Sequence, residues 1–318
     1  MFASDTPRLN TGSRAPSRTG PPVVEDPLLG AVGSTPFVPL RSLGPGSGSE
    51  VWAKVESLNP TGSVKDRAAL AIVRAALADG SLGHGRTLVD ASSGNTGVAY
   101  AMLGARLGFS VLLYVPRQVP AGRLTAIRSY GAEVVLTDPA EGTDGAQREA
   151  RSRAESNPAQ YFLADQYNNP ANPSAHYSGT GPEIWHQSRG RVTHLVAGVG
   201  TGGTISGTGR FLKEQRPSIR VIGVEPTGPI HGLEGLKHLP TAHRPGTYDS
   251  SVVDETVRVE TDEADRLVER LAREEGLRVG PSGGAAAWVA ERTAAARPNS
   301  FVVTILPDAG GRREGGRP

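Results

Sequence analysis

Residues 51–78 read VWAKVESLNPTGSVKDRAALAIVRAALA. Apolar and polar positions alternate over Val51–Glu56, which predicts a strand. Ala, Leu, Ile and Val then recur at helical spacing, which predicts a helix over Asp66–Ala78. Pro60-Thr61-Gly62-Ser63 between them is turn chemistry, because proline presets φ and glycine allows φ > 0. Lys65 therefore stands at the mouth of a helix. The positive end of the helix dipole and apolar packing both disfavour an ammonium there. A lysine pushed toward its neutral form can make a Schiff base. A solvated lysine in a first helical turn is the plainer alternative.

The same strand–turn–helix unit recurs outward from this stretch. Strands are expected at Thr87–Ala91, Ser110–Val115, Glu133–Thr137, Tyr161–Ala164, His194–Val199, Arg220–Val224 and Phe301–Leu306. Helices are expected at Thr96–Leu107, Gly122–Tyr130, Thr143–Ser156, near Ser178–His186, and at Thr204–Glu214, Asp262–Glu275 and Gly283–Ala295. Such alternation predicts βαβ units and parallel sheet, an α/β fold with ligands at strand carboxyl ends. Thr35–Leu40 reads as an extended entry segment. Residues 226–260 are rich in Pro and Gly with little periodicity, and are expected to form a loop lining the site.

Composition narrows the function class. The chain has 318 residues, 37% hydrophobic, with 41 glycines and no cysteine, so disulfides and thiolate metal sites are excluded. The formal charge is +2, but residues 1–25 carry +1 and residues 309–318 carry +2, leaving −1 on residues 26–308. No basic face for nucleic acid is expected from that balance. No apolar run approaches membrane-spanning length, and the N-terminus lacks the apolar region of a signal peptide, so a cytoplasmic protein is the default expectation. Residues 1–25, rich in Pro, Ser, Thr, Gly and Arg, read as a disordered leader. Residues 309–318 read as a disordered tail.

Five further motifs carry chemistry. Gly198-Val199-Gly200-Thr201-Gly202-Gly203-Thr204 runs from a strand into a helix, where successive N–H groups make an anion nest. Gly198, Gly200 and Gly203 also satisfy the dinucleotide pattern G-x-G-x-x-G, and Glu225 closes the next strand, so a nicotinamide oxidoreductase is a rival reading. The two threonines and the Gly-Gly pair favour a phosphomonoester. Ser92-Ser93-Gly94-Asn95-Thr96-Gly97 suits a carboxylate or phenolate oxygen, or is an ordinary helix cap. Gln166–Asn172 reads as a polar loop able to meet a zwitterion. In Gly280–Ala285, Ser282 is the expected N-cap. Leu306-Pro307-Asp308-Ala309-Gly310 reads as a turn, structural or site-lining. The seven histidines show no metal spacing, so no metal is expected. One lysine at a helix start, one phosphate nest and no metal or nucleophile triad point to pyridoxal phosphate.

NPTGSVKDR, SSGNTG, QYNNPAN, GVGTGGT and GPSGGA, in this order, resemble the cysteine synthase and cystathionine β-synthase family of pyridoxal phosphate enzymes. The likeness runs from about Leu28 to Gly310. It implies fold type II, as in the tryptophan synthase β subunit: two doubly wound open-sheet domains with pyridoxal 5'-phosphate in the cleft between them. The large domain would hold residues 26–56 plus 170–308, and the smaller one, with the substrate loop, residues 57–169. Lys65 would anchor the cofactor's aldehyde carbon and then remove the substrate Cα proton. Asn95 would meet the cofactor's 3'-oxygen, Gly200, Thr201, Gly202, Gly203 and Thr204 its phosphate, and Ser282 its pyridine nitrogen. Ser92, Ser93, Thr96 and Gln166 would bind the substrate carboxylate, and the Gly228–His238 loop would cover the site. The implied reaction is β-elimination from O-acetylserine to an aminoacrylate, followed by addition of sulfide. Other donors and acceptors of the same chemistry stay open. A homodimer is implied, with serine acetyltransferase as a candidate partner. Two features depart from the family pattern: Ser92 stands where threonine is usual, and Arg313 follows Arg312 where tyrosine is usual.

Overall fold

The computed structural model describes residues 26–310 apart from Pro45, Ser47 and His84. The expected leader, most of the expected tail and Arg312-Arg313 lie outside the described residues. In chain order the elements are α1 (Pro27–Gly30), β1 (Phe37–Pro39), β2 (Glu50–Val55), α2 (Lys65–Ala78), β3 (Thr87–Ala91), α3 (Asn95–Leu107) and β4 (Val111–Pro116). Next come α4 (Ala121–Ser129), β5 (Glu133–Thr137), α5 (Gly142–Ser156), β6 (Tyr161–Leu163), α6 (Ala171–Ala175), a π-helical turn (His176–Thr180) and α7 (Gly181–Gln187). β7 (His194–Gly198), α8 (Gly203–Gln215), β8 (Arg220–Pro226), β9 (Glu255–Val259), α9 (Thr261–Glu274), α10 (Pro281–Ala296) and β10 (Phe301–Leu306) complete the chain.

The strands form two sheets, a six-stranded one in the order β1-β2-β10-β7-β8-β9 and a four-stranded one in the order β5-β4-β3-β6. Every pairing is parallel except β1 with β2, where the short edge strand runs antiparallel. Strands buried on both faces explain the near-continuous apolar runs. In β10, Val302 and Leu306 enter the core beneath α9 and α10, whereas Phe301, Val303 and Ile305 enter the core beneath α7 and α8. In the smaller sheet, Val89, Ala91, Leu112 and Tyr114 pack on the alanine stripe of α5. Leu88, Val111, Leu113 and Val115 pack on α2 and α3. The fold is α/β, with both sheets doubly wound.

The structure corrects the reading of residues 226–260 at its end. Residues 255–259 form β9, pairing in parallel with β8. Its burial is broken and mostly exposed, as at a sheet edge, so the period-2 signal was too weak to stand out from the surrounding Pro and Gly. The helical run expected near Ser178 begins at Ala171, and the π-helical turn interrupts it at His176–Thr180. Among the described residues, no helix is long and apolar enough to cross a membrane.

Candidate active site

The carboxyl ends of β3, β7 and β10 converge on one cleft of about 900 Å³ between the sheets. Lys65 enters it as the first residue of α2. The turn before it is closed by Asp66, whose carboxylate accepts the Thr61 N–H at 2.6 Å and also the Thr61 hydroxyl. Two residues beyond the lysine, Arg67 makes a buried double fork: Nε and Nη2 to Glu56 at 2.7 and 2.9 Å, Nη1 and Nη2 to Glu183 at 2.6 and 2.8 Å. Lys54 closes the cluster on Glu183 at 2.6 Å. Burial alone would raise the Glu183 carboxyl, but Arg67 and Lys54 outweigh it and hold its pKa at about 2. Removing one partner from such a cluster costs ~3–5 kcal/mol, so α2 cannot slide relative to β2 and α7.

The Lys65 amine lines the cleft and has no hydrogen-bond acceptor among the described residues. Burial drives its pKa below the ordinary lysine value, and the Asp308 carboxylate opposes that shift. Opposite it, the Gly198–Thr204 loop turns from β7 into α8. Gly202 takes φ +84°, and a Cβ there would strike Tyr248. A Cβ on Gly200 would strike the Gly235 carbonyl, and one on Gly203 the Asn172 amide. The loop is therefore packed tightly on its outer side. On the inner side, the N–H groups of Gly200, Thr201, Gly202 and Thr204 find no acceptor among the described residues. Thr204 Oγ1 lies 3.2 Å from His176 Nε2, and burial holds that imidazole neutral, well below its ordinary pKa.

The other junction, Ser92–Gly97, joins β3 to α3. No side chain caps α3; Gly94 stands at the cap position. Ser92 Oγ accepts the Gly97 N–H at 3.0 Å, and Thr96 Oγ1 donates to Gln166 Oε1 at 2.7 Å. Beneath them lies Asp90, which accepts the N–H groups of Ala91 and Gln166 at 2.8 and 3.3 Å. Burial pushes its pKa up to about 7 despite those bonds.

Every residue expected at the site lines the cleft except Gly203, which is buried against Asn172. Ser282 does not cap α10. Gly280 occupies the cap position and Ser282 lies inside the first turn, its hydroxyl facing the cleft. Residues 229–238 lie along the mouth, where Glu234 pairs bidentately with Arg123 of α4. Glu225 lies outside the cleft, buried in β8, so the dinucleotide reading loses its ribose acid. No cluster of three or more His, Asp or Glu among the described residues could hold a metal. Arg67, Glu56 and Glu183 were not expected as site supports. Arg67 stood in the quoted stretch, but only folding brings Glu183 to it.

A nest of unclaimed N–H groups facing an amine and a lone hydroxyl fits a phosphate-bearing aldehyde. The chain belongs to the family of pyridoxal-phosphate dependent enzymes, which matches residues 28–308, and pyridoxal phosphate is its cofactor. Among its relatives, the cysteine synthase of Aquifex aeolicus is 47% identical over 290 residues, 89% of each chain. The crystal structure of cysteine synthase from Entamoeba histolytica superposes with a TM-score of 0.85 at 31% identity, covering 95% of this chain and 91% of that one. That of an O-ureido-L-serine synthase superposes with a TM-score of 0.83 at 36% identity, covering 91% and 96%.

Proposed function

We propose that the protein is a cysteine synthase that converts O-acetylserine and sulfide to cysteine and acetate. The observation that carries this reading is the convergence of Lys65, the Gly200–Thr204 nest, Asn95 and Ser282 on one cleft, in a chain 47% identical to a cysteine synthase. When bound, pyridoxal phosphate supplies an electron sink for charge developing at Cα. The N–H groups of the nest, with Thr201 and Thr204, would hold its phosphate. Asn95 would donate to its 3'-oxygen. Lys65 would hold its aldehyde carbon and then take the substrate Cα proton, a role that a lowered pKa suits. Ser282, a neutral hydroxyl, would leave the ring nitrogen largely unprotonated, which limits transamination and favours loss of a good β-leaving group. Ser92, Ser93, Thr96 and Gln166 would hold the substrate carboxylate, and closure of their loop would keep water out.

In this reading residues 26–56 plus 170–308 form one domain and residues 57–169 a second, mobile one. The protein would work in the cytoplasm as a homodimer, with serine acetyltransferase as a candidate partner.

The purified protein should be yellow. Its absorbance should shift when O-acetylserine is added and return when sulfide follows. A protein that stays colourless with added pyridoxal phosphate refutes the reading. One that answers only to O-phosphoserine or serine keeps the cofactor and changes the donor. Lys65→Ala should lose the Schiff-base band and about 10³-fold or more in turnover, because anchor and base vanish together.

A further inference from the structure

We propose that Asp308 is a positioning residue for the anchor: its carboxylate fixes the orientation of the Asn95 amide and supplies the counter-charge of Lys65. The inference rests on reading Lys65 and Asn95 as cofactor-binding residues, and concerns a residue to which that reading gives no role.

The geometry is specific. Beyond β10, the Pro307 carbonyl accepts the Val64 N–H at 2.8 Å, and Asp308 pairs with Ser63 in an isolated antiparallel bridge. The segment is thereby stitched to the two residues just before Lys65. Asp308 Oδ2 accepts from Asn95 Nδ2 at 2.7 Å, and Oδ1 accepts the Gly310 N–H at 3.0 Å. The Asp308 carbonyl accepts the Gly280 N–H at 3.2 Å. A Cβ on Gly280 would strike Asp308 Oδ1, so glycine is needed there for the approach. One residue thus touches the starts of three helices: α2 with Lys65, α3 with Asn95 and α10 with Ser282.

Two consequences follow. A carboxylate only accepts, so the end of the Asn95 amide that faces it must be the NH₂ group. That group has a second N–H, which is left for the oxygen of a ligand. Turned the other way, the amide would offer that oxygen an acceptor. The second consequence concerns charge. Lys65 has no hydrogen-bond acceptor among the described residues, and of the charged groups around it Asp308 is the one that favours the ammonium. From the π-helical turn, His176 faces it as a neutral imidazole. Burial and Asp308 therefore pull the lysine in opposite directions, and the carboxylate limits how far it is neutralised.

The test uses cofactor-stripped wild-type protein, Asp308→Asn and Asp308→Glu. Lys65 acylation by trace acetic anhydride is followed against pH by peptide mass spectrometry, and pyridoxal phosphate affinity by fluorescence titration. In Asp308→Asn the Lys65 reactivity profile should move to lower pH by about one unit, the size expected for losing an opposite charge in the same cleft. Its Kd for pyridoxal phosphate should rise about tenfold, consistent with a misdirected amide. Asp308→Glu should stay nearer the wild-type profile. An unmoved profile in folded Asp308→Asn overturns the proposal. Equal displacement in both variants also overturns it, because packing rather than charge would then be responsible. Should Asp308→Asn fail to fold, Asp308→Ser is read in the same way. Borohydride reduction of wild-type holoenzyme with peptide mapping checks the anchor separately. A label away from Lys65 refutes the functional reading, whereas a label on Lys65 with an unmoved profile refutes only the role of Asp308.

Discussion

The two strand-to-helix junctions that line the cleft share glycine and threonine but are held differently. In Gly198–Thr204, Gly200, Gly202 and Gly203 each press against a neighbour so closely that no Cβ would fit. In Ser92–Gly97, Gly97 presses on the Ser92 carbonyl at the helix end, but nothing lies within 4 Å of where a Cβ on Gly94 would stand. One junction is packed against its neighbours and leaves N–H groups beside the cleft without an acceptor among the described residues. The other is tied at its ends by Ser92–Gly97 and Thr96–Gln166 and free at its middle. Two glycine-rich junctions thus form a packed cradle on one side and a flap with an open middle on the other. The distinction lies in what packs behind each glycine.

Breaking the fixed side should cost most. Gly202→Ala adds a side chain at φ +84° and drives it onto the Tyr248 backbone and Cβ. Overpacking and backbone strain each cost about 1–3 kcal/mol, so the expected outcome is a clear loss of thermal stability with pyridoxal phosphate affinity lowered at least tenfold. Denaturant melts and a cofactor titration check it. Wild-type affinity in this variant would show that the loop is not the rigid partner.

The support beneath the flap should show a smaller, pH-dependent effect. Asp90 titrates near 7 in the folded protein against an ordinary value of 3.8. A carboxyl raised in this way favours the fold when protonated. Its contribution is complete below about pH 4 and lost as pH rises through 7. Asp90→Asn, always neutral, should remove that loss, so the stability difference between variant and wild type should widen from pH 4.5 to pH 8 in favour of the variant. Parallel curves would mean that Asp90 does not titrate there.

Gly94→Ala should do least. The backbone at φ −112° suits any residue, and the added methyl meets open space. Stability should change by no more than about 0.5 kcal/mol and cofactor affinity should hold. A large loss of affinity would mean that the flap is as tightly fitted as the cradle.

Much of this was legible in the chain. Period-2 and period-3.6 patterns located β3, β5 and β10 at their observed ends and most other elements within a residue or two. Gly198–Thr204 was legible as a candidate nest because a run of glycine and threonine leads from a strand into a helix, a pattern that a dinucleotide loop shares. What remained hidden depended on contacts distant in sequence. The identity of the α10 cap turned on Gly280 making room for Asp308, and the extra strand β9 carried too weak an alternation to read. Lys65 was legible as a candidate, but the clamp that holds it was not. Arg67 meets Glu183 across 116 positions, and Asn95 meets Asp308 across 213.

Those separations order events in time. During synthesis, the turn carrying Lys65 emerges early, but its clamp stays open until Glu183 has been made and folded. Its flank along Ser63 and Val64 stays bare until Pro307 and Asp308 arrive. A site closed by the last described strand can take up its cofactor only once β10 has been made and folded. Cofactor loading in this fold is therefore a report on completed folding, and a chain cut short before β10 would carry the anchor lysine without the means to use it.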